Sequence, residues 1–221
     1  MEKTSPSHRS GSSFEADSHD LHLQSKMRSI RMIDSARVGT TGLALLMGLT
    51  VLGVSANMLH VYEETHLASQ FMLPLWPDEF NIRPTVSLVI GSAIVLVCNI
   101  IALCFSQVQS LRSRQTAHTS ITFVAPLIGL TAALIAVIFY YVVNASELVD
   151  TFLSWTCRWT DIPMVQQPHW DTLCRQSHAA LYLAILLIPV EFAALALAAL
   201  QLKVERYTES YLGARKTPVL P

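Results

Sequence analysis

Residues 115–146 read QTAHTSITFVAPLIGLTAALIAVIFYYVVNAS and contain no Asp, Glu, Lys or Arg. A buried helix of a water-soluble domain seldom needs so long a run, whereas about 20 apolar residues cross the ~30 Å hydrocarbon core of a bilayer. Three further runs are built the same way. Val38–Tyr62 and Pro84–Leu111 carry none of those charges either, and Gln176–Leu202 carries one, Glu191. A strand at that depth would leave its backbone groups unpaired, so the runs must be helices. The fold expected is an all-α membrane protein, a four-transmembrane-helix bundle with spans near 38–59, 86–106, 121–143 and 179–202.

Composition points the same way. The chain is 52% hydrophobic and 14% charged, with a mean hydropathy of +0.41, where a soluble domain is about 25% charged. Residues 1–37 hold nine serines and no apolar core of a signal peptide, so the first span is expected to serve as the insertion signal. They read as a flexible cytosolic tail, and residues 203–221 as a second one. Met27, Ile30 and Ile33 recur at helical spacing among basic neighbours, which suits a short helix on an anionic leaflet, though Lys26 and Asp34 interrupt the apolar arc.

Orientation follows from Lys and Arg. The amino tail has six, the segment between spans two and three has Arg112 and Arg114, and the carboxyl tail has Lys203, Arg206, Arg215 and Lys216, twelve in all. Arg83, Arg158 and Arg175 make three on the other side. Both termini are therefore expected in the cytosol. WTCRWTDIPMVQQPHWDTLC (155–174) then falls in the second extracytosolic loop, from about Asn144 to His178. That side is oxidising, so Cys157 and Cys174 are expected to form a disulfide stapling a small cap. Trp155 and Trp170 read as headgroup anchors, and Pro163 and Pro168 keep the middle of the loop non-helical. In the first loop, LPLWPDEF reads as structural, with Trp76 between Pro74 and Pro77 at the interface. Cys98 and Cys104 lie in the second span, Cys98 as a small packed residue and Cys104 near the cytosolic end, where packing outweighs acylation.

Inside lipid no hydrophobic drive pushes helices together, so close packing needs small residues. They recur at helical spacing: Ala44 and Gly48, with Thr40 a turn earlier; Ser87 and Gly91; Ala125, Gly129 and Ala133; Ala194 and Ala198. Such stripes argue for one compact bundle. Two polar residues break the pattern, Asn99 and Glu191. An ionised carboxylate at mid-membrane costs about 2.5–3.5 kcal/mol on insertion scales. No cation lies in another span, so Glu191 is expected as the neutral acid, donating a hydrogen bond to Thr131, Thr50 or Asn99. A proton- or ligand-linked role is the alternative, because intramembrane carboxyls mark functional sites.

Other constellations are weaker. His60, Glu63, Glu64 and His66 offer divalent-metal ligand types at helical spacing, but a solvated helix end explains them as well and no metal site is assigned. Asn144-Ala145-Ser146 matches the glycosylation triplet, too close to the membrane for use. No nucleophile elbow, phosphate loop, dinucleotide fingerprint or zinc-type spacing occurs, so no catalytic residue and no cofactor are expected.

Four spans, cytosolic termini and a disulfide-capable loop resemble the MARVEL-like tetraspan proteins. The tetraspanin Cys-Cys-Gly signature is absent, and claudin-like proteins carry their Trp and Cys pair in the first loop, where this chain has no cysteine. LPLWPDEFNIRPT, SWTCRW and LCRQSHAALYLAILLIPVE are also similar to four-span proteins of filamentous fungi, over about Arg37–Leu202. The resemblance implies membrane organisation or trafficking and carries no catalytic site. The function expected is a non-enzymatic integral membrane protein organising membrane or protein assemblies, in the plasma membrane or an endomembrane. Its partners would be the lipid bilayer, further copies of itself or other membrane proteins, and no nucleic acid. A small transporter or sensor using Glu191 is the competing expectation.

Overall fold

A computed structural model describes residues 12–66, 75–107, 115–145 and 149–215. Lys3, Arg9, Pro74, Arg112, Arg114, Ser146 of the glycosylation triplet and Lys216 lie outside the described residues. The elements are α1 (Ser12–Thr65), β1 (Phe80–Asn81), α2 (Arg83–Gln107), α3 (Gln115–Asn144), β2 (Asp150–Thr151), α4 (Phe152–Arg158) and α5 (Trp170–Arg215).

Four of these helices are long and apolar enough to cross a membrane, with candidate spans at Arg31–Thr65, Arg83–Ser106, Phe123–Asn144 and Trp170–Val204. The helices outrun the runs read from composition because the breakers lie elsewhere. No proline falls between Ser12 and Thr65, so α1 begins well inside the segment expected as a tail, and α5 continues past residue 203 to Arg215. The basic stretch around Met27–Val38 is thus part of α1 and no separate surface helix. At the start of α2, Pro84 sits in the first turn, where its missing N–H costs nothing. Just ahead of it, Asn81 Oδ1 accepts from the Arg83 amide at 3.0 Å. The fourth span starts at Trp170 rather than near 179. Pro168 ends the irregular stretch, and Asp171 in the first turn suits the positive end of the helix.

The four long helices stand in a ring. α1 packs on α2, α2 on α3, α3 on α5 and α5 on α1, while α2 and α5 barely meet across the diagonal. The inward face of α1 reads Arg37, Thr41, Ala44, Gly48, Val51, Ser55 and Met58, all buried and three or four apart. Outward, the surface is apolar: Leu46, Ile135, Val142 and Phe192 are each more than 60% exposed. Within the most apolar window of each span, only 28% of residues are buried in three spans and 44% in the third. Water would penalise such a surface heavily; hydrocarbon does not.

Two mid-bundle clusters fill the ring, one around Val51, Leu88, Tyr140 and Leu181, the other around Ala44, Val95, Ala133 and Leu187. A third cluster builds a cap at the Thr65 end. Its centre is Met58, Trp76, Phe152, Trp170 and Leu173, with Trp76 in edge contact with Phe152 and Trp170 at 5.6 and 5.2 Å between ring centroids. The two loops joining the helices at this end therefore fold as one unit. A two-residue parallel bridge ties them, Phe80 opposite Asp150 and Asn81 opposite Thr151, a strand element that composition did not foreshadow. Trp170 and Trp76, expected near the membrane interface, are 5% and 3% exposed, and their indoles pack on protein in the core of the cap. Cys157 and Cys174 are disulfide-bonded, with Cα atoms 4.9 Å apart. Cys157 lies on α4 and Cys174 within α5, so the staple joins two helices rather than two points of a loop.

Candidate functional site

The polar centre of the bundle is a pair, Asn99 on α2 and Glu191 on α5. Asn99 is 3% exposed and Glu191 is fully buried. Asn99 Nδ2 donates to Glu191 Oε1 at 2.7 Å. Because α2 and α5 face each other across the diagonal of the ring, this bond crosses its centre and links two helices that otherwise barely meet. The direction differs from the expectation: Glu191 accepts. Of the partners expected for it, only Asn99 reaches it. Thr50 and Thr131 point outward and donate to their own helices, to the carbonyls of Leu46 and Ile128 at 2.9 Å.

Gly129 on α3 explains how a carboxyl fits there. A Cβ at position 129 would lie 3.1 Å from Glu191 Oε2 and 3.2 Å from its Cδ. The glycine that stripe reasoning assigned to helix–helix approach instead leaves room for a side chain from the neighbouring helix α5. Close backbone approach is found at Gly91, where a Cβ would come within 2.6 Å of the Ala136 Cβ. Ser87 Oγ, one turn away on the same face of α2, donates to the Ala136 carbonyl at 3.4 Å. At Gly48 the nearest atoms, on Val95 and Leu96, stand at 3.6 and 3.7 Å, ordinary contact distances. Ala44, Ala125, Ala133, Ala194 and Ala198 are all buried.

Glu191 Oε2 is buried and has no hydrogen-bond partner, a costly state for a polar atom in a low-dielectric interior. Below the pair lies a cavity of about 10 Å³ whose walls include Arg37, Thr41, Asn99, Ser106 and Pro126, about the room of one water molecule. Arg37 forms its far wall. It is 6% exposed, and its Nη2 donates to Asp34 Oδ1 and Ser106 Oγ, both at 3.1 Å. Asn99 and Ser106 are seven positions apart on α2, about 10 Å along the helix, and the guanidinium pairs with Asp34 rather than with Glu191. Sequence reading counted Arg37 only as a cytosolic tail charge. Its spacing to Thr41, Ala44 and Gly48 is the signal that places it inward. Pro126 in α3 and Pro189 in α5 interrupt the backbone ladder close to the pair, which loosens both helices locally.

His60, Glu63, Glu64 and His66, to which no metal site was assigned, do not converge on one point. His60 Nε2 and Glu64 Oε1 lie 3.3 Å apart, both exposed, while His66 turns onto the Tyr62 ring at 4.9 Å. Among the described residues, ligand-type atoms of three side chains do gather at Cys157, Cys174 and His178, within 4.8 Å of one another. The two sulfurs are bonded to each other, so this set is not open to a metal as it stands. Cys98 is half-buried and Cys104 exposed.

No family model, no curated protein and no solved structure matches the chain.

Proposed function

We propose that the protein is a non-enzymatic, multi-pass membrane protein that organises membrane or protein assemblies, with both termini in the cytosol and the cap on the extracytosolic face. One observation carries this reading: the bundle is filled from within while most of its apolar surface faces out. Small residues close the ring, the Asn99–Glu191 bond spans its centre, and cavities between the helices, such as those beside Asn99 and beside Gly91, hold about 10 Å³ each. Such a bundle offers lipids and other spans its outer wall, not a chamber for a substrate. The twelve-to-three imbalance of Lys and Arg supports the orientation, and the MARVEL-like plan described above suits the role.

Crosslinking in native membranes tests the function. Discrete protein or lipid partners support an organiser; recovery of bulk lipid alone overturns it. Protease treatment of intact cells tests the orientation. A tag between Ile162 and Gln167 should be cut and tags at either terminus protected.

A second reading is a proton-linked sensor or small transporter, favoured by the unpartnered, fully buried Glu191 Oε2. It requires that Glu191→Gln abolish a pH-dependent flux or phenotype while the bundle stays folded. A variant indistinguishable from wild type removes it.

A further inference from the structure

We propose that the Cys157–Cys174 disulfide is an exchangeable bond, a covalent site for thiols assisted by His178. This goes beyond the organising role and does not depend on it. His178 follows Cys174 by one turn of α5, and its Nδ1 lies 3.7 Å from Cys174 Sγ and 3.8 Å from Cys157 Sγ. The same nitrogen lies 3.1 Å from the Cys174 carbonyl oxygen. A carbonyl only accepts, so Nδ1 carries the proton in this arrangement, and two nearly equidistant sulfurs lie within reach of the same N–H.

Access and charge fit the same role. Both cysteines are partly exposed. Each is followed by arginine, Cys157-Arg158 and Cys174-Arg175, and positive charge beside a sulfur favours the thiolate. Arg158 is paired with Asp150 at 3.3 Å and Arg175 with Asp171 at 2.6 Å, which offsets much of their field and leaves His178 as the donor aimed at the sulfurs.

In the step itself, an incoming thiolate attacks one of the two sulfurs. A new S–S bond forms to the incoming sulfur, the Cys157–Cys174 bond breaks, and the leaving sulfur keeps the electron pair as a thiolate. His178 Nδ1–H stabilises that thiolate by a hydrogen bond and keeps its own proton, and the thiolate stays poised to react or takes a proton from water. The mixed disulfide then reverts when the freed sulfur attacks back. Alternatively, a second thiol on the partner attacks it, oxidising the partner to a disulfide and leaving Cys157 and Cys174 as two thiols. Two electrons pass from the partner dithiol to the cap, and no further oxidant is needed.

The ligand chemistry is a thiol, from a small molecule or from a protein. The test uses full-length protein in lipid nanodiscs, with reduced glutathione in one arm and reduced thioredoxin in the other. Samples are acid-quenched over time and read by intact mass, with thermal unfolding measured in parallel. Wild type should form the glutathione adduct or be reduced by thioredoxin while folded, and the faster arm at equal thiol concentration identifies the source. His178→Leu should react about tenfold slower or more, the loss of one charge-assisted hydrogen bond. His178→Asn, whose Nδ2–H falls near the place of Nδ1, should keep most of the rate. If the leucine variant does not fold, His178→Gln, whose donor lies further out, takes its place and should be slow. Reaction only above the unfolding transition, or equal rates in wild type and variants, would show a plain staple and overturn the proposal.

Discussion

Glu191 is where residue chemistry and bundle architecture meet most closely. Its carboxyl is tolerated because Asn99 donates to one oxygen and Gly129 leaves space beside the other. Glu191→Gln preserves the acceptor, so thermal unfolding in detergent should match wild type. Glu191→Leu leaves the Asn99 amide unpaired and should lose about 1–3 kcal/mol. If Gln costs as much as Leu, the Asn99 bond is not what the carboxyl contributes. Gly129→Ala should destabilise the wild type, because its methyl meets the carboxyl at 3.1–3.3 Å. In a Glu191→Ala background the same change should be neutral or stabilising, since alanine is the better helix former by about 1 kcal/mol. Additive effects in that cycle would separate Gly129 from Glu191.

At the scale of elements, Gly91 and Gly48, which both face neighbouring helices, do different work. Gly91 lets α2 approach α3, and a Cβ there would stand 2.6 Å from Ala136 Cβ and 3.3 Å from the Ala132 carbonyl. Gly91→Ala should cost about 1–3 kcal/mol by overpacking, and Ala136→Gly should restore part of that loss. Gly48→Ala, with 3.6 Å or more of room, should be neutral or slightly stabilising. Equal melting temperatures for the two alanine variants would refute the distinction. From sequence both glycines belong to the same kind of stripe; only the distance to the neighbouring backbone separates them.

Across the whole molecule, the cap joins what the spans separate. The loop after α1 supplies Trp76 and Phe80, the segment after α3 supplies Phe152, and α5 supplies Trp170 and Leu173, with the disulfide fastening α4 to α5. Its 17-residue separation corresponds to about 3 kcal/mol in the chain-entropy model. Cys157→Ser, Cys174→Ser and the double variant should lose the same amount, each removing one bond. A single variant clearly less stable than the double would point to damage from the orphaned thiol instead.

Much of this architecture was legible in the chain. Four long apolar runs, three without a charged residue and one with Glu191 alone, specify four helices because hydrocarbon admits no other way to satisfy an isolated backbone segment. The cysteine pair was readable because the other two cysteines lie in one of those runs. Asn99 and Glu191 stood out as the polar residues in the middle of apolar spans. The helix ends were less legible, since apolarity marks the bilayer whereas a helix stops at prolines and caps such as Pro168 and Asn81. Three features depended on tertiary structure alone. The ring order placed Asn99 opposite Glu191 across the diagonal. The lateral approach of α3 turned Gly129 from a packing surface into a berth for a carboxyl. The folding of two loops into one cap buried Trp76 and Trp170 and set His178 against the disulfide. Each is a meeting of residues distant in the chain, and local propensity and hydrophobic period carry no information about which faces meet.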